Sequence, residues 1–229
     1  GGRRGVRDGT LFHVGQGCLS LWKGYAQTVR QRNSGLRRGI LDSDKAWRHE
    51  LAEAGELLTG LRARAAAQLA ERLTKMAPTL SADLAGLEVV FRRGWDRSQT
   101  LLEALERNAD SDAAQGFTQV GPHRADLRLM REGVVAAEVL SRGQMKLTLV
   151  ALKLVQGRLI EEASAAAPLY LVDDLPAELD RVHCANVCEQ LGSRRQVVLT
   201  AVDRGSLEAA WGGSPLSLFH VEQGEIVLG

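Results

Sequence analysis

The chain has 229 residues, which is enough for one large or two small domains with a sizeable hydrophobic core. Its formal net charge of +1 gives no argument for nucleic-acid binding, so any basic surface must be local. Three cysteines without framework spacing exclude a secreted disulfide scaffold. The sequence has neither a long apolar run nor a signal peptide, which argues against a membrane partner and predicts a cytoplasmic protein. Because it begins at Gly1 rather than Met, we expect it to start within a longer protein.

Apolar periodicity predicts two long helices in the first third of the chain. The first runs from about residue 17 to 40. The second follows an N-cap signal at 42–44 and continues to about Met76, where we expect Pro78 to end it. Two long helices joined by a short turn predict an antiparallel hairpin.

Shorter elements follow, and from residue 141 onward helices and strands alternate. This alternation predicts an α/β fold. The predicted strands are 87–91, 117–120, 127–130, 169–172, 196–200 and a hairpin of 216–221 with 225–228. The predicted helices are 99–108, 141–162, 180–191 and 207–211, and a polar loop is expected at 109–116.

Two cysteines near the end of the chain lie one helical turn apart, at Cys184 and Cys188. The neighbouring His183 projects about 100° around the helix from Cys184, so a tetrahedral ligand set is not complete. We therefore expect buried structural thiols rather than a zinc site.

Two acids follow a short apolar run in the segment Leu169–Asp174. Acids at the carboxyl end of a parallel strand lie where open α/β sheets bind ligands. Asp173 would hold Mg²⁺ through water, and Asp174 would orient or deprotonate an attacking water. A strand that ends in a turn before Pro176 explains the same residues without any function.

A second segment, Leu140–Gln144, precedes an apolar helical pattern. Ser141 and Gln144 have the spacing of a capping box, which by itself explains a helix start. The same geometry would present the amides of residues 141–143 and the Ser141 hydroxyl to a phosphate. Gly143 would permit a close approach, and Arg142 would add a cation near a transferring phosphoryl group.

The order of these two segments resembles the RecF family, in the SMC-like branch of the ABC-type ATPases. Leu140–Gln144 matches the signature motif, Leu169–Asp174 the Walker B strand, and the turn that ends at Asp180 the D-loop. Gly121-Pro122-His123-Arg124 precedes the signature, as in that family. Residues 3–12 also resemble the family's Arg-Arg segment ahead of its helical arm.

The resemblance implies an α/β fold: a partial ABC-type ATPase head, its signature and Walker B half, with an inserted α-helical arm. It implies three domains, namely the end of an N-terminal ATPase segment at 1–13, the arm at 14–110 and the head at 111–229. It further implies ATP and Mg²⁺ as cofactors and an ATP-dependent homodimer. In that dimer Ser141, Arg142, Gly143 and Gln144 would contact the nucleotide of the other copy. Asp173 would bind the metal, Asp174 would act in catalysis, and Asp180 would lie at the seam.

The same resemblance implies partners for the dimer. They are double-stranded and gapped DNA, together with RecR and RecO, and the dimer would help to load RecA at gaps. Basic clusters are candidate DNA contacts, although a solvated helix face explains them equally well. The candidates are Arg3, Arg4 and Arg7 in one cluster and Arg30, Arg32, Arg37 and Arg38 in the other.

Two departures from the family pattern concern nucleotide binding. The sequence has no Walker A motif, so we expect this chain alone to hold ATP poorly and to be inactive as an ATPase. The strand 196–200 ends in Thr200-Ala201 rather than in a switch histidine, which leaves the γ-phosphate sensor unassigned. Two alternatives stay open: another SMC-like ATPase of the RecN type, and a non-catalytic DNA-binding scaffold without a P-loop.

Overall fold

The computed structural model describes residues 18–164, 167–192, 195–212, 217–222 and 224–228. The chain divides into two compact units, Gly1–Ala166 and Ala167–Gly229. This division follows packing, whereas the boundaries at 13/14 and 110/111 follow the family resemblance. The three domains therefore remain a prediction.

The first unit combines a helical hairpin, a small antiparallel sheet and a long helix. Its described helices are α1 (Cys18–Arg37), α2 (Asp44–Leu80), α3 (Leu101–Arg107), α4 (Ala109–Gln115), α5 (Ala136–Val139) and α6 (Arg142–Ser164). Its described strands are β1 (Leu87–Arg92), β2 (Asp126–Arg131) and β3 (Val134–Val135), in the order β1-β2-β3. β1 and β2 are antiparallel, with Leu87 opposite Arg131 and Arg92 opposite Asp126.

The first two helices form the predicted antiparallel hairpin. Thr28 Oγ1 donates a hydrogen bond to Glu50 Oε1 at 2.8 Å, and Arg32 Nε donates to Asp44 Oδ1 at 2.7 Å. As the contacts move forward along α1 they move backward along α2, which is the pattern of antiparallel helices.

The core of the first unit lies where α3 packs on the hairpin. It contains Tyr25, Leu51, Ala52, Leu58, Ala65, Leu101 and Leu105. A Cβ on Gly55 would lie only 2.4 Å from Leu101 Cδ2, so the absence of a side chain there is what allows α3 to approach α2. Burial of these apolar side chains is the main stabilising term.

The first helix ends earlier than predicted, at Arg37 rather than near Ile40. Gly39 takes up a left-handed conformation with φ +70°, which ends the helix. The amides of Gly39 and Ile40 donate to the carbonyls of Leu36 and Gly35 at 3.1 and 3.0 Å. These two bonds form a Schellman motif, which satisfies carbonyls that the helix leaves unpaired.

The second helix continues past its predicted end near Met76 and ends at Leu80. Pro78, which the sequence predicts to end it, lies inside the helix. A proline lacks the N–H that would bond the carbonyl four residues earlier, so the helix loses one backbone hydrogen bond here. Ser81 donates its N–H to the Ala77 carbonyl at 3.2 Å, and Leu80 is fully buried. The buried Leu80 and the Ser81 bond therefore favour continuation of the helix despite the missing hydrogen bond.

The region 109–120 differs most from its prediction. Residues 109–115 form α4 instead of a polar loop, and 117–120 form no strand. Thr118 donates its N–H to Asn33 Oδ1 at 2.8 Å, and Gln119 donates its N–H to Asp112 Oδ1 at 3.0 Å. Side chains thus satisfy the backbone groups that a neighbouring strand would otherwise bind.

The long helix α6 packs against α2. Arg72 donates two hydrogen bonds to Glu162, at 2.7 and 2.8 Å, from α2 to the far end of α6. At the near end Gln144 Nε2 donates to Asp83 Oδ2 at 3.5 Å. The beginning of α6 therefore lies beside the turn that ends α2.

The second unit has the predicted α/β alternation. Its described elements are β4 (Tyr170–Val172), α7 (Leu175–Glu178), α8 (Arg181–Leu191), β5 (Val197–Leu199), α9 (Arg204–Trp211), β6 (Phe219–Glu222) and β7 (Glu225–Leu228). β4 and β5 pair in parallel and are joined by helices, while β6 and β7 form the predicted hairpin. Among the described residues, no helix is both long and apolar enough to cross a membrane.

Candidate functional site

The two acids singled out by the sequence follow β4, at the carboxyl end of a parallel strand pair. Val172 lies opposite Leu199 in the register, so Asp173 and Thr200 each follow their strand at the same edge. The Thr200 N–H donates to the Val172 carbonyl at 3.0 Å and extends the pairing by one bond. The predicted strand end is thus a defined edge of the sheet, as ligand sites of α/β folds require.

A side chain that the sequence analysis gave no role joins the two acids. The Thr200 hydroxyl donates to Asp173 Oδ1 at 2.7 Å and accepts the Asp174 N–H at 2.9 Å. Only the position of Thr200, at the end of the next parallel strand, could have indicated this contact from sequence.

The second acid has an unusual backbone. Asp174 has φ 46° and ψ 45°, in the left-handed region, and its carbonyl accepts the Ala177 N–H at 3.1 Å as α7 begins. Asp and Asn occupy this region more readily than other non-glycine residues. The sharp turn is therefore compatible with an acid here, and the Asp174 side chain is half-buried.

The donor set at this edge fits a magnesium ion shared with phosphate. Asp173 is exposed, and its hydrogen bond with Thr200 uses only Oδ1. Within the described part of the chain, no group of three His, Cys, Asp or Glu residues could hold a metal by itself. Mg²⁺ is commonly bound by one or two carboxylates plus waters and phosphates, so a single carboxylate suffices.

The predicted seam residue, Asp180, caps a helix. Its Oδ1 accepts the His183 N–H at 3.0 Å, and its Oδ2 lies 2.5 Å from His183 Nδ1. These hydrogen bonds from His183 lower the pKa of the Asp180 carboxyl. Capping accounts for Asp180 within one chain, and its place at a seam stays a prediction.

The two neighbouring thiols are buried and free, as expected. Burial raises the pKa of Cys184 and raises that of Cys188 to about 11, so both stay protonated at neutral pH. Neither is therefore a thiolate nucleophile at neutral pH.

In the first unit, the start of α6 has the predicted capping box. The Ser141 N–H donates to Gln144 Oε1 at 2.9 Å, and the Gln144 N–H donates to Ser141 Oγ at 3.2 Å. The box therefore occupies the Ser141 amide, one of the three amides expected to face a phosphate. The hydroxyl acts as an acceptor in the box and keeps its own proton for a further acceptor.

Arg142 and Gly143 form the exposed first turn of α6. Amides in a first turn have no partner inside the helix, so these two can face an incoming anion. A Cβ added to Gly143 would meet no heavy atom within 4 Å, so packing within the chain does not require glycine there. Space beside Gly143 is available to another molecule.

The residues before the signature have structural contacts. Tyr25 donates its hydroxyl to His123 Nδ1 at 2.8 Å, and His123 Nε2 donates to the Thr118 carbonyl at 3.0 Å. Because a carbonyl can only accept, the proton of the neutral ring lies on Nε2. Both ring nitrogens are thus engaged in joining α1 to the segment 118–123, as expected of a structural histidine.

The candidate DNA-binding arginines differ in their exposure to solvent. Arg30 within α1, Arg37 at its end and Arg38 just after it are exposed. Arg32, from the same predicted cluster, is fully buried and bonds Asp112 Oδ2 at 2.7 Å as well as Asp44, so its assignment as a phosphate contact is wrong. The remaining candidates, Arg3, Arg4 and Arg7, lie outside the described residues.

Sequence comparison finds relatives along nearly the whole chain. It is 45% identical over 230 residues to the DNA replication and repair protein RecF of Stutzerimonas stutzeri strain A1501, covering 98% of this chain and 61% of that protein. It is 42% identical over 229 residues to the RecF of Chromohalobacter salexigens, covering 98% and 63% respectively. The chain thus spans about three fifths of the length of these relatives. No protein-family model matches it.

Solved structures agree on the fold. The recombination mediator protein RecF-ATPrS in the RecFOR pathway superposes with a TM-score of 0.75 at 21% identity, covering 93% of this chain and 59% of that one. The RecF-ATP structure of the same pathway gives 0.76 at 20% identity, covering 97% and 62%. The fold is the predicted one, part of an ABC-type ATPase head with a helical arm. With relatives above 40% identity along 98% of its length, the chain belongs to the RecF family and corresponds to a C-terminal part of it.

Proposed function

We propose that this chain forms the signature and Walker B half of a RecF-type DNA repair ATPase. Two copies would assemble head to head around ATP, bind duplex DNA in the cytoplasm and separate after hydrolysis. The observation that carries the proposal is the acidic pair at the carboxyl edge of a parallel strand pair, in a chain of the RecF family.

Within one copy the acidic pair would serve the bound nucleotide. Asp173, held by Thr200 through one oxygen, would offer its other oxygen to Mg²⁺ or to water on the ion. The ion would supply positive charge next to the phosphates. Asp174 would orient the attacking water and accept its proton.

Across the dimer the start of α6 would contact the nucleotide of the other copy. The Ser141 hydroxyl and the first-turn amides of Arg142 and Gly143 are donors suited to γ-phosphate oxygens. Gln144 would hold this turn in shape through its box with Ser141 and its contact with Asp83. Asp180 would lie at the seam of the same dimer.

The dimer would hold double-stranded and gapped DNA through local positive charge. Arg30 within α1, Arg37 at its end and Arg38 just after it are each exposed, and they suit phosphate contacts that do not depend on base sequence. RecR and RecO would act with the dimer, and RecA would be loaded at gaps.

The test of the catalytic assignment is Asp174→Asn in a RecF-length protein that contains this chain. Asn tolerates the left-handed backbone, so the change removes the base without breaking the turn. We expect ATP hydrolysis to fall by about a hundredfold or more while ATP stays bound and the dimer lasts longer. Asp42→Asn, an exposed acid between α1 and α2, is the matched control and should hydrolyse ATP normally. Normal turnover by Asp174→Asn would refute the assignment.

A further inference from the structure

We propose that Thr200 is the positioning residue of the acidic pair, fixing both the Asp173 carboxylate and the turn at Asp174 with one hydroxyl group. This inference rests on the proposed nucleotide function of that pair. It gives a task to the end of β5, the place where the sequence has no switch histidine.

The chemistry of the three groups allows only one arrangement. An ionised carboxylate can only accept a hydrogen bond, and a backbone N–H can only donate one. The Thr200 hydroxyl must therefore give its proton to Asp173 Oδ1 and accept the Asp174 N–H, at 2.7 and 2.9 Å. A group with one donor and two acceptor sites meets both demands, which neither a purely donating nor a purely accepting side chain could do.

The hydroxyl itself is held firmly. The Thr200 N–H is bonded to the Val172 carbonyl, so the two strand ends move together. A β-branched side chain also has few rotamers at χ1. Thr200 thus links the end of β5 to the two acids that follow β4.

Each bond has a separate consequence for the proposed site. The bond to Asp173 restrains that carboxylate to one orientation, with Oδ2 left for a metal ion. The bond from the Asp174 amide stabilises a backbone that most residues adopt only at a cost, with φ 46°. Without the Thr200 hydroxyl both acids would remain present, but the Asp173 carboxylate and the Asp174 amide would each lose a hydrogen bond.

The geometry is tested by exchange of the Asp174 amide proton in this chain, a measurement that needs no nucleotide. Thr200→Val keeps the branched shape and removes the hydroxyl, while Thr200→Ser keeps the hydroxyl. We expect the Asp174 amide to exchange about tenfold faster in Thr200→Val and at nearly the wild-type rate in Thr200→Ser. An unchanged rate in Thr200→Val would overturn the inference.

The positioning role is tested by Mn²⁺ binding to a RecF-length protein that contains this chain, with a non-hydrolysable ATP analogue and electron paramagnetic resonance detection. We expect Thr200→Val to weaken Mn²⁺ binding about tenfold and to raise the Mg²⁺ concentration for half-maximal hydrolysis to a similar degree. Thr200→Ser should restore both. Equal losses in Thr200→Val and Thr200→Ser would overturn the role of the hydroxyl.

Asp173→Asn separates this inference from the proposed function. If Asp173→Asn loses Mn²⁺ binding while Thr200→Val binds like the wild type, the proposed function stands and the role of Thr200 fails. If Asp173→Asn also binds Mn²⁺ like the wild type, Asp173 is no metal ligand and both proposals fail.

Discussion

At the residue scale, a substitution of Gly143 tests whether the segment Leu140–Gln144 has only a structural role or also a functional one. A side chain there would meet nothing in this chain, and glycine in the first turn of a helix is entropically unfavourable. We expect Gly143→Ala to stabilise the fold by about 0.5 kcal/mol. In a RecF-length protein the same change should weaken ATP-dependent dimerisation, because the added methyl group would stand where the other copy's nucleotide approaches.

The control for this prediction is Gly24→Ala on α1, another exposed helical glycine with open space around it. It should stabilise the fold to a similar extent without affecting dimerisation. Urea unfolding and light scattering with and without ATP measure the two effects. If both variants dimerise normally, Gly143 has no role in assembly.

His123 makes the stability of the first unit depend on pH. Burial lowers its pKa from the ordinary value of 6.5, and the bond to the Thr118 carbonyl only partly opposes this. The unfolded chain therefore takes up a proton at a higher pH than the folded chain does. The contribution is complete above pH 6.5 and is lost as the pH falls from there through the lower, folded-state pKa.

The measurement compares thermal midpoints at about pH 7.5 and about pH 5.5. His123→Gln keeps a side-chain donor for the Thr118 carbonyl but does not titrate, so its midpoint should fall less between the two pH values. Equal falls in the two proteins would show that His123 protonation does not destabilise the fold.

At the element scale, a buried charge network joins four segments of the first unit. Arg32 on α1 bonds Asp44 on α2, Asp112 on α4 and, at 2.9 Å, the Thr118 hydroxyl. Both Arg32 and Asp112 are fully buried. Removing one partner from such a pair leaves an uncompensated charge in a medium that solvates it poorly.

We expect Asp112→Ala to destabilise the first unit by about 3 kcal/mol, since it removes one of the two carboxylates that pair with the buried Arg32 and also the acceptor of the Gln119 amide. Glu162→Ala, which breaks the exposed pair with Arg72, is the comparison and should cost about 1 kcal/mol or less. Urea denaturation followed by circular dichroism measures both. A loss at Asp112 no larger than that at Glu162 would contradict the structural role of the network.

Elements with a local sequence pattern could be predicted, whereas elements that depend on this network could not. The hairpin follows from apolar periodicity, and the strand before Asp173 follows from its apolar run. The sequence predicts a polar loop at 109–116 and a strand at 117–120, because sequence alone does not reveal that Asp112 pairs with an arginine 80 positions away. For the same reason the sequence places Arg32 in a DNA-binding cluster. The contacts of Thr200 depend on the pairing of two strands, which the sequence does not show.

At the scale of the whole molecule, the two candidate segments lie in different compact units, and each is ordered by its own neighbours. The Ser141 box is completed by Gln144 in the first unit, and the acidic pair is completed by Thr200 in the second. In the proposed dimer the two segments serve nucleotides bound by different copies. The proposal therefore requires of a single chain only that each segment is held in shape by residues of its own unit.

The most direct test of the account is the mass of a RecF-length protein containing this chain, measured by light scattering with and without ATP, for the wild type and Ser141→Arg. The arginine would break the capping box and fill the space expected for the other copy's γ-phosphate. We predict that both proteins bind ATP and that only the wild type doubles in mass. If Ser141→Arg also doubles in mass with ATP, the signature segment does not act across the dimer.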